Sequence, residues 1–266
     1  MSGIAVLMYH VIDAPENDAE AQFCCAPELF RSHLQYLKDA GYAVLKLGDV
    51  LHFITGGSTS NRKMVAITFD DGVACSYEKA YPILEEFGYT ASMFMISGIV
   101  DGFNDWGREY GYPKRRMLSG SELRALQAGG MDIGSHTVSH AKLGATSFGQ
   151  MKDETLISKK SLEDILGVEV NHFAYPYGSV NRLARQAVIE AGYRGACTTL
   201  SGKNDKRDDL FMMRRIDIRG DDSLAKFALK LKYGWSAVPP IADFRRLGRE
   251  ALVNLGLLKA RDWQVK

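Results

Sequence analysis

No run of some 18 apolar residues occurs in the chain, so no membrane-spanning helix is expected. Neither charge sign is in excess: Lys plus Arg is 33 and Asp plus Glu is 32, for a net charge of +1. A nucleic-acid binder ordinarily carries a basic surplus, and that class is set aside. The four cysteines are too few and too scattered for a disulfide framework. Cys24 and Cys25 are adjacent, and sequence neighbours bridge only under strain. Cys75 and Cys197 have no Cys-x-x-Cys partner. Free thiols in a reducing compartment are the expectation, and a structural zinc built on cysteine is not. There is no internal repeat and no low-complexity segment. Met1–Tyr9 has no basic flank before its apolar stretch and no small-residue cleavage site after it. It reads as a buried strand and not as a signal peptide. The expected setting is the cytoplasm, extending to the inner membrane face.

What the chain does have is an ordinary globular composition, 46% hydrophobic and 24% charged over 266 residues. Short apolar runs alternate with longer amphipathic stretches. Ile4–Tyr9, Tyr42–Leu45, Met64–Phe69, Ala91–Ile96, Met131–Ile133, Phe173–Tyr175, Gly195–Thr198 and Met212–Ile218 read as strands. Pro27–Ala40, Tyr77–Phe87, Ser121–Ala128 and Asn181–Ala191 read as helices, each followed by Gly. This alternation predicts α/β architecture with parallel βα units. A distorted or incomplete (β/α) barrel is favoured over an open sheet, because His10, Asp70, Asp71, His136 and Tyr177 all fall at or just past strand C-termini. One barrel domain is expected over 1–220, with a basic amphipathic helical extension over 221–266.

Three constellations carry chemistry. Thr68-Phe69-Asp70-Asp71-Gly72 follows an apolar strand. Adjacent carboxylates resist joint ionisation, and a metal relieves that cost: one carboxylate ligates while the other stays free as a base. A helix N-cap before a turn glycine is the competing explanation. Ser135-His136-Thr137-Val138-Ser139-His140 places two histidines four apart, able to face one ion if the segment is helical. One Asp and two His make a three-ligand site with open positions, the pattern of a catalytic metal. Phe173-Ala174-Tyr175-Pro176-Tyr177-Gly178 forces a turn that presents a backbone N–H, suited to an oxyanion hole or simply to a turn.

In this order the segments resemble the polysaccharide deacetylase family (NodB homology, carbohydrate esterase 4), over roughly residues 1 to 220. The resemblance implies a distorted (β/α) barrel and removal of N-acetyl groups from aminosugars with one divalent metal. Zinc is first choice, with cobalt or nickel as alternatives. It implies Asp70 as general base, Asp71, His136 and His140 as metal ligands, and the Tyr177 N–H as oxyanion donor. Two departures stand out. Ala174 occupies the place of an Arg that usually braces the base, and no histidine follows His172, so the usual C-terminal acid is missing. Both departures resemble the circularly permuted poly-N-acetylglucosamine deacetylase branch, which also opens with a strand ending in Met-Tyr-His, here Met8-Tyr9-His10.

Arg215 and Asp217 share one strand face and are expected to point inward, Arg215 to Asp70 and Asp217 to His10, with two surface charges as the alternative. His10 is the expected general acid. His33, His52 and His172 read as structural or solvated. Trp106 lies in the long loop Gly98–Leu118, placed either to stack on a sugar or to pack in the core. From Ser223 to Lys266 there are nine Lys/Arg against three Asp/Glu, and Phe227, Leu231, Phe244, Leu247, Leu252 and Leu255 form an apolar stripe. That tail suits either peripheral contact with an anionic membrane or helices closing the barrel with a solvated basic face. The leading expectation is a deacetylase of an N-acetylated sugar or glycan of cell-surface synthesis. A deformylase or other amide hydrolase, and an inactive carbohydrate-binding member, are the alternatives.

Overall fold

The structure is a computed structural model that describes residues 3–56 and 62–237. Along the chain it runs β1 (Ile4–Tyr9), α1 (Pro27–Asp39), β2 (Tyr42–Leu45), α2 (Leu47–Ile54), β3 (Lys63–Phe69), α3 (Tyr81–Phe87), β4 (Ser92–Met95) and α4 (Gly120–Ala128). It continues with β5 (Asp132–Ser135), α5 (Phe148–Leu166), β6 (His172–Ala174), α6 (Arg182–Glu190), β7 (Gly195–Cys197), β8 (Lys203–Asn204), β9 (Ile216–Asp217) and α7 (Leu224–Tyr233). The strands form one sheet in the order β7-β6-β5-β4-β3-β1-β8, with β2 beside β3 and β9 beside β1. All pairings are parallel except that of β8 with β1. Between β7 and the segment leading to β9 there is a single bridge, Cys197 to Met213. The fold is therefore the expected distorted, incomplete (β/α) barrel with surrounding helices.

Period-two alternation sorts the strand residues into two layers. Ala5, Leu7, Tyr9, Val65, Ile67 and Phe69 face outward into the main core, under helices that include α1. Ile4, Val6 and Ala66 face the barrel interior with Phe94, Ala174, Cys197 and Met213, and α2 plugs that cluster with Val50, Leu51 and Phe53. Gly134 makes room there, since a Cβ on it would lie 2.6 Å from the Phe94 ring. Continuing the inner rows by two residues at a time leads from Val6 to His10 and from Ala66 to Asp70.

The differences from expectation have local causes. The strand expected over Met212–Ile218 shrinks to β9. Met213 exchanges hydrogen bonds with Ala196 and Thr198, and Arg215 N–H donates to Leu200 O at 2.9 Å, so the segment changes partners midway. The helix expected from Tyr77 opens with a π turn over Ser76–Ala80. Ser119, not Ser121, caps α4, in a capping box with Glu122. α5 was not anticipated, because its buried stripe includes Thr155 and Ser158 among Met151, Leu162 and Leu166.

α7 docks on the barrel: Phe227 stacks on His33 with ring centroids 4.0 Å apart, and Leu231 is buried. Lys230 is not part of a solvated face. It is buried, ion-paired with Asp222, and donates to Asp217 O at 2.7 Å. Phe244, Leu247, Leu252, Leu255 and the proposed membrane contact lie outside the described residues. No helix among the described residues is long and apolar enough to cross a membrane.

His33 and His172 are buried away from the strand C-termini, and burial pushes each ring down to about 4. In the unfolded chain each returns to about 6.5. The unfolded state therefore binds more protons between those values, and stability is lost as pH falls through this window. Each should cost about 2 kcal/mol between pH 7.5 and pH 5. The check is NMR: both rings should keep neutral-imidazole shifts at pH 5.5, and titration of either near 6.5 contradicts its placement.

Candidate metal centre and active site

The strand ends converge on a cavity of about 390 Å³, lined by His10, Asp70, Asp71, His136, His140, Tyr177 and Asp217 among others. The loops that shape it are held in costly backbone conformations. Six described non-glycine residues have positive φ; three of them line this cavity, Asp71 at 72°, His140 at 63° and Tyr177 at 57°, and a fourth, Thr137 at 68°, follows His136 directly. Such conformations cost on the order of 1–3 kcal/mol each and persist where the surroundings over-determine them. Gly72, at φ 87°, sits so close to Met95 that a Cβ would lie 2.0 Å from its sulfur, so the Asp-Asp-Gly turn admits no side chain there.

Asp71, His136 and His140 each offer one ligand atom, all within 4.8 Å of one another. Nε2 of His136 and of His140 lie 3.5 and 3.3 Å from Asp71 Oδ1. Donors on a tetrahedral ion with bonds of about 2.0–2.1 Å stand about 3.3–3.4 Å apart, so the spacing fits one shared ion. The outer nitrogens fit as well. His136 Nδ1 lies 2.8 Å from Ala174 O, and His140 Nδ1 lies 3.0 Å from the Tyr177 hydroxyl. Both contacts leave Nε2 as the ligating nitrogen. Burial pushes His136 down to about 4, which keeps it the neutral imidazole that a metal requires. Burial pushes Asp71 up, but its His140 hydrogen bond and the nearby imidazoles outweigh this and hold it far below the carboxylate range. The two histidines converge from a loop and not from the helix the spacing suggested, through the left-handed turns at Thr137 and His140.

Asp70 is 2% exposed and Arg215 is fully enclosed. Arg215 grips Asp70 with both arms of its fork, Nη1 to Oδ1 at 2.6 Å and Nη2 to Oδ2 at 2.7 Å. Its Nε donates to Thr198 O at 2.9 Å, and its guanidinium lies 5.6 Å from the Phe94 ring centroid. Burial alone would raise the Asp70 carboxyl, but the Arg215 charge reverses this and holds it below its usual range.

Asp217 lines the cavity but does not orient His10. Its carboxylate accepts from Arg219 Nε at 2.8 Å, while His10 Nδ1 is buried with no hydrogen-bond partner among the described residues. Arg219 sits two residues on, and its long side chain reaches back along the same side. His10 packs against Phe23, ring centroids 5.2 Å apart. Trp106 packs on His140, with centroids 4.0 Å apart, and also lines the cavity.

Two wall residues gave no signal in the sequence. Arg115 is buried and clasps Glu20 through Nε at 2.7 Å and Nη2 at 2.6 Å, while its backbone N–H donates to Asn104 at 2.7 Å. This staples the loop over Gly98–Leu118 to the segment before α1 and fixes the wall that bears Trp106 and Phe23.

The chain is similar to known proteins in sequence and in shape. The protein named "Putative polysaccharide deacetylase YxkH" of Bacillus subtilis (strain 168) is 26% identical over 215 residues, spanning 81% of this chain and 71% of that one. The poly-β-1,6-N-acetyl-D-glucosamine N-deacetylase of Escherichia coli (strain K12) is 22% identical over 86% of this chain, which spans 38% of that protein. Among solved structures, the Streptococcus pyogenes deacetylase PplD in complex with acetate superposes with a TM-score of 0.74 at 28% identity, covering 86% of this chain and 98% of that one. The family model for polysaccharide deacetylase matches residues 57–196, just over half of the chain. The matched stretch takes in Asp70, Asp71, His136, His140 and the Tyr177 turn, though neither His10 nor Arg215, and on it the chain belongs to the polysaccharide deacetylase family.

Proposed function

We propose that this protein is a metal-dependent N-deacetylase acting on an aminosugar of a surface glycan, an exopolysaccharide or a biosynthetic intermediate of one. The observation that carries the reading is the three-donor set Asp71, His136 and His140 beside a carboxylate, Asp70, that a buried Arg keeps ionised. The solved relative bound to acetate, the product such a reaction would release, supports it.

Asp71, His136 and His140 would hold the ion. Their one-oxygen, two-nitrogen set suits zinc, with cobalt and nickel as alternatives. When bound, the ion supplies Lewis-acid polarisation at this corner of the cavity. Asp70 takes a proton from the attacking water, whose oxygen forms the new bond to the acetyl carbon. Arg215 keeps that carboxylate ionised and aimed, and each Asp70 oxygen retains a second lone pair for the water. The Tyr177 backbone N–H receives the developing oxyanion. His10 delivers a proton to the nitrogen as the C–N bond breaks, so acetate and a free amine leave. Its unpartnered Nδ1 on the cavity wall supports that part.

Mass spectrometry of N-acetylated oligosaccharides, with and without enzyme, tests the reading. Loss of acetyl masses, stopped by a chelator, is expected. No loss from any N-acetylated sugar sinks it. His10→Ala should keep metal and fold but lose most amide turnover, about a hundredfold for a lost general acid. Activated esters, whose leaving groups need no proton, should suffer much less. Near-normal amide turnover in that variant removes His10 from the acid role.

A further inference from the structure

The two histidines of the candidate metal site are supported in different ways. His136 has the Ala174 backbone carbonyl at 2.8 Å, a partner that no substitution removes. His140 has only a side chain there, the Tyr177 hydroxyl at 3.0 Å. We infer that Tyr177, beyond any part its backbone plays, is a positioning residue whose hydroxyl holds His140 in ligating orientation from the rim of the cavity. This inference rests on the metal-site reading above.

Three further observations point the same way. His140 and Tyr177 are both non-glycine residues at positive φ, 63° and 57°, so neither backbone conformation is held by local preference. Each has the other's side chain among its neighbours. The His140 ring is also enclosed by aromatic groups: Trp106 at 4.0 Å, Tyr177 at 4.5 Å and His136 at 5.0 Å between centroids. These contacts restrict the ring but carry no direction for its nitrogens. Among the described residues, the Tyr177 hydroxyl is the group that engages Nδ1, which leaves Nε2 toward Asp71. Tyr177 is itself fixed from outside. Lys142 Nζ lies 4.7 Å from its ring centroid and donates at 3.1 Å to the hydroxyl of Tyr110, whose ring centroid is 6.2 Å away.

Position gives the arrangement a consequence. Tyr177 is 43% exposed, so the outer support of one ligand stands where a sugar would enter. A substrate that displaces or orders the Tyr177 ring acts on His140 in the same movement. His136, anchored to β6, stays unaffected.

Tyr177→Phe removes one oxygen and keeps the ring. Zn²⁺ affinity of the full chain, measured by competition with a chromophoric chelator, should fall about ten- to a hundredfold. The melting temperature of the metal-free protein should stay unchanged, and the visible spectrum of the Co²⁺-loaded protein should shift. Arg219→Gln, which alters the cavity wall at a side chain paired with Asp217, should change Zn²⁺ affinity less than about threefold. Wild-type affinity in Tyr177→Phe, or equal losses in the two variants, overturns the inference while leaving the metal site standing. A wild-type protein that takes up no Zn²⁺ overturns both.

Discussion

Arg215→Met should be among the most damaging single substitutions in this protein, in turnover and in stability together. The guanidinium is fully enclosed and makes two short hydrogen bonds to a carboxylate that is itself buried. Removing one partner of such a pair leaves an uncompensated charge in a dry interior, at a cost of about 3–5 kcal/mol. The carboxylate then escapes the penalty by binding a proton. Asp70 is held below its usual range because the Arg215 charge, helped by His136 and His10, outweighs burial, so losing Arg215 removes the strongest opposition to the upward push of burial. A general base must be deprotonated to act. The acid limb of kcat/KM should therefore move to higher pH, with turnover at neutral pH down about a hundredfold or more. Arg215→Lys keeps the charge but loses the planar fork and should fall between the two. An acid limb that stays in place in Arg215→Met would show that Asp70 is not the base.

The second large effect separates the adjacent aspartates. Asp71→Asn, like His136→Ala, should lose metal and turnover together, because it removes a donor from a set of only three. Asp70→Asn should keep the metal, yet lose about two to four orders of magnitude in turnover, the scale of a lost general base. Metal content of the purified variants, read beside their rates, distinguishes the two. If Asp70→Asn emerges metal-free and Asp71→Asn metal-loaded, the roles are exchanged. Full metal occupancy in a chain lacking both His136 and His140 removes the site altogether.

Much of this was legible in the residues. β1 is apolar throughout and β3 nearly so, broken by Lys63 at its start and Thr68 near its end, and His10 and Asp70 are the first residues beyond the two strands on the interior row. Alternation along a strand was enough to place Arg215 facing inward, and it does reach Asp70. The same rule misled for Asp217, because alternation also brings Arg219 to its side and the nearer partner took the carboxylate. The His-x-x-x-His spacing identified a shared target but suggested the wrong backbone. A left-handed turn at Thr137 or His140 announces itself only when glycine or asparagine occupies it. Glu20 and Arg115 stand 95 positions apart, and each alone resembles an ordinary surface charge. Nothing local marks such a pair, and only the folded sheet brings them together. α5 escaped notice because Thr155 and Ser158 interrupt its apolar face.

The distance along the chain between Asp70 and its brace has a consequence in time. The two residues are 145 positions apart, and the barrel interior that encloses Arg215 is assembled from both ends of that interval. A ribosome adding about 5–20 residues per second makes Arg215 roughly seven to thirty seconds after Asp70. From about the midpoint of that interval both aspartates, His136 and His140 have been made, yet the carboxylate that would serve as base has no counter-charge. A nascent chain thus holds its candidate metal donors before it holds the brace of its candidate base. On the proposed reading, activity awaits the pairing of β9 with β1 that brings Arg215 to Asp70.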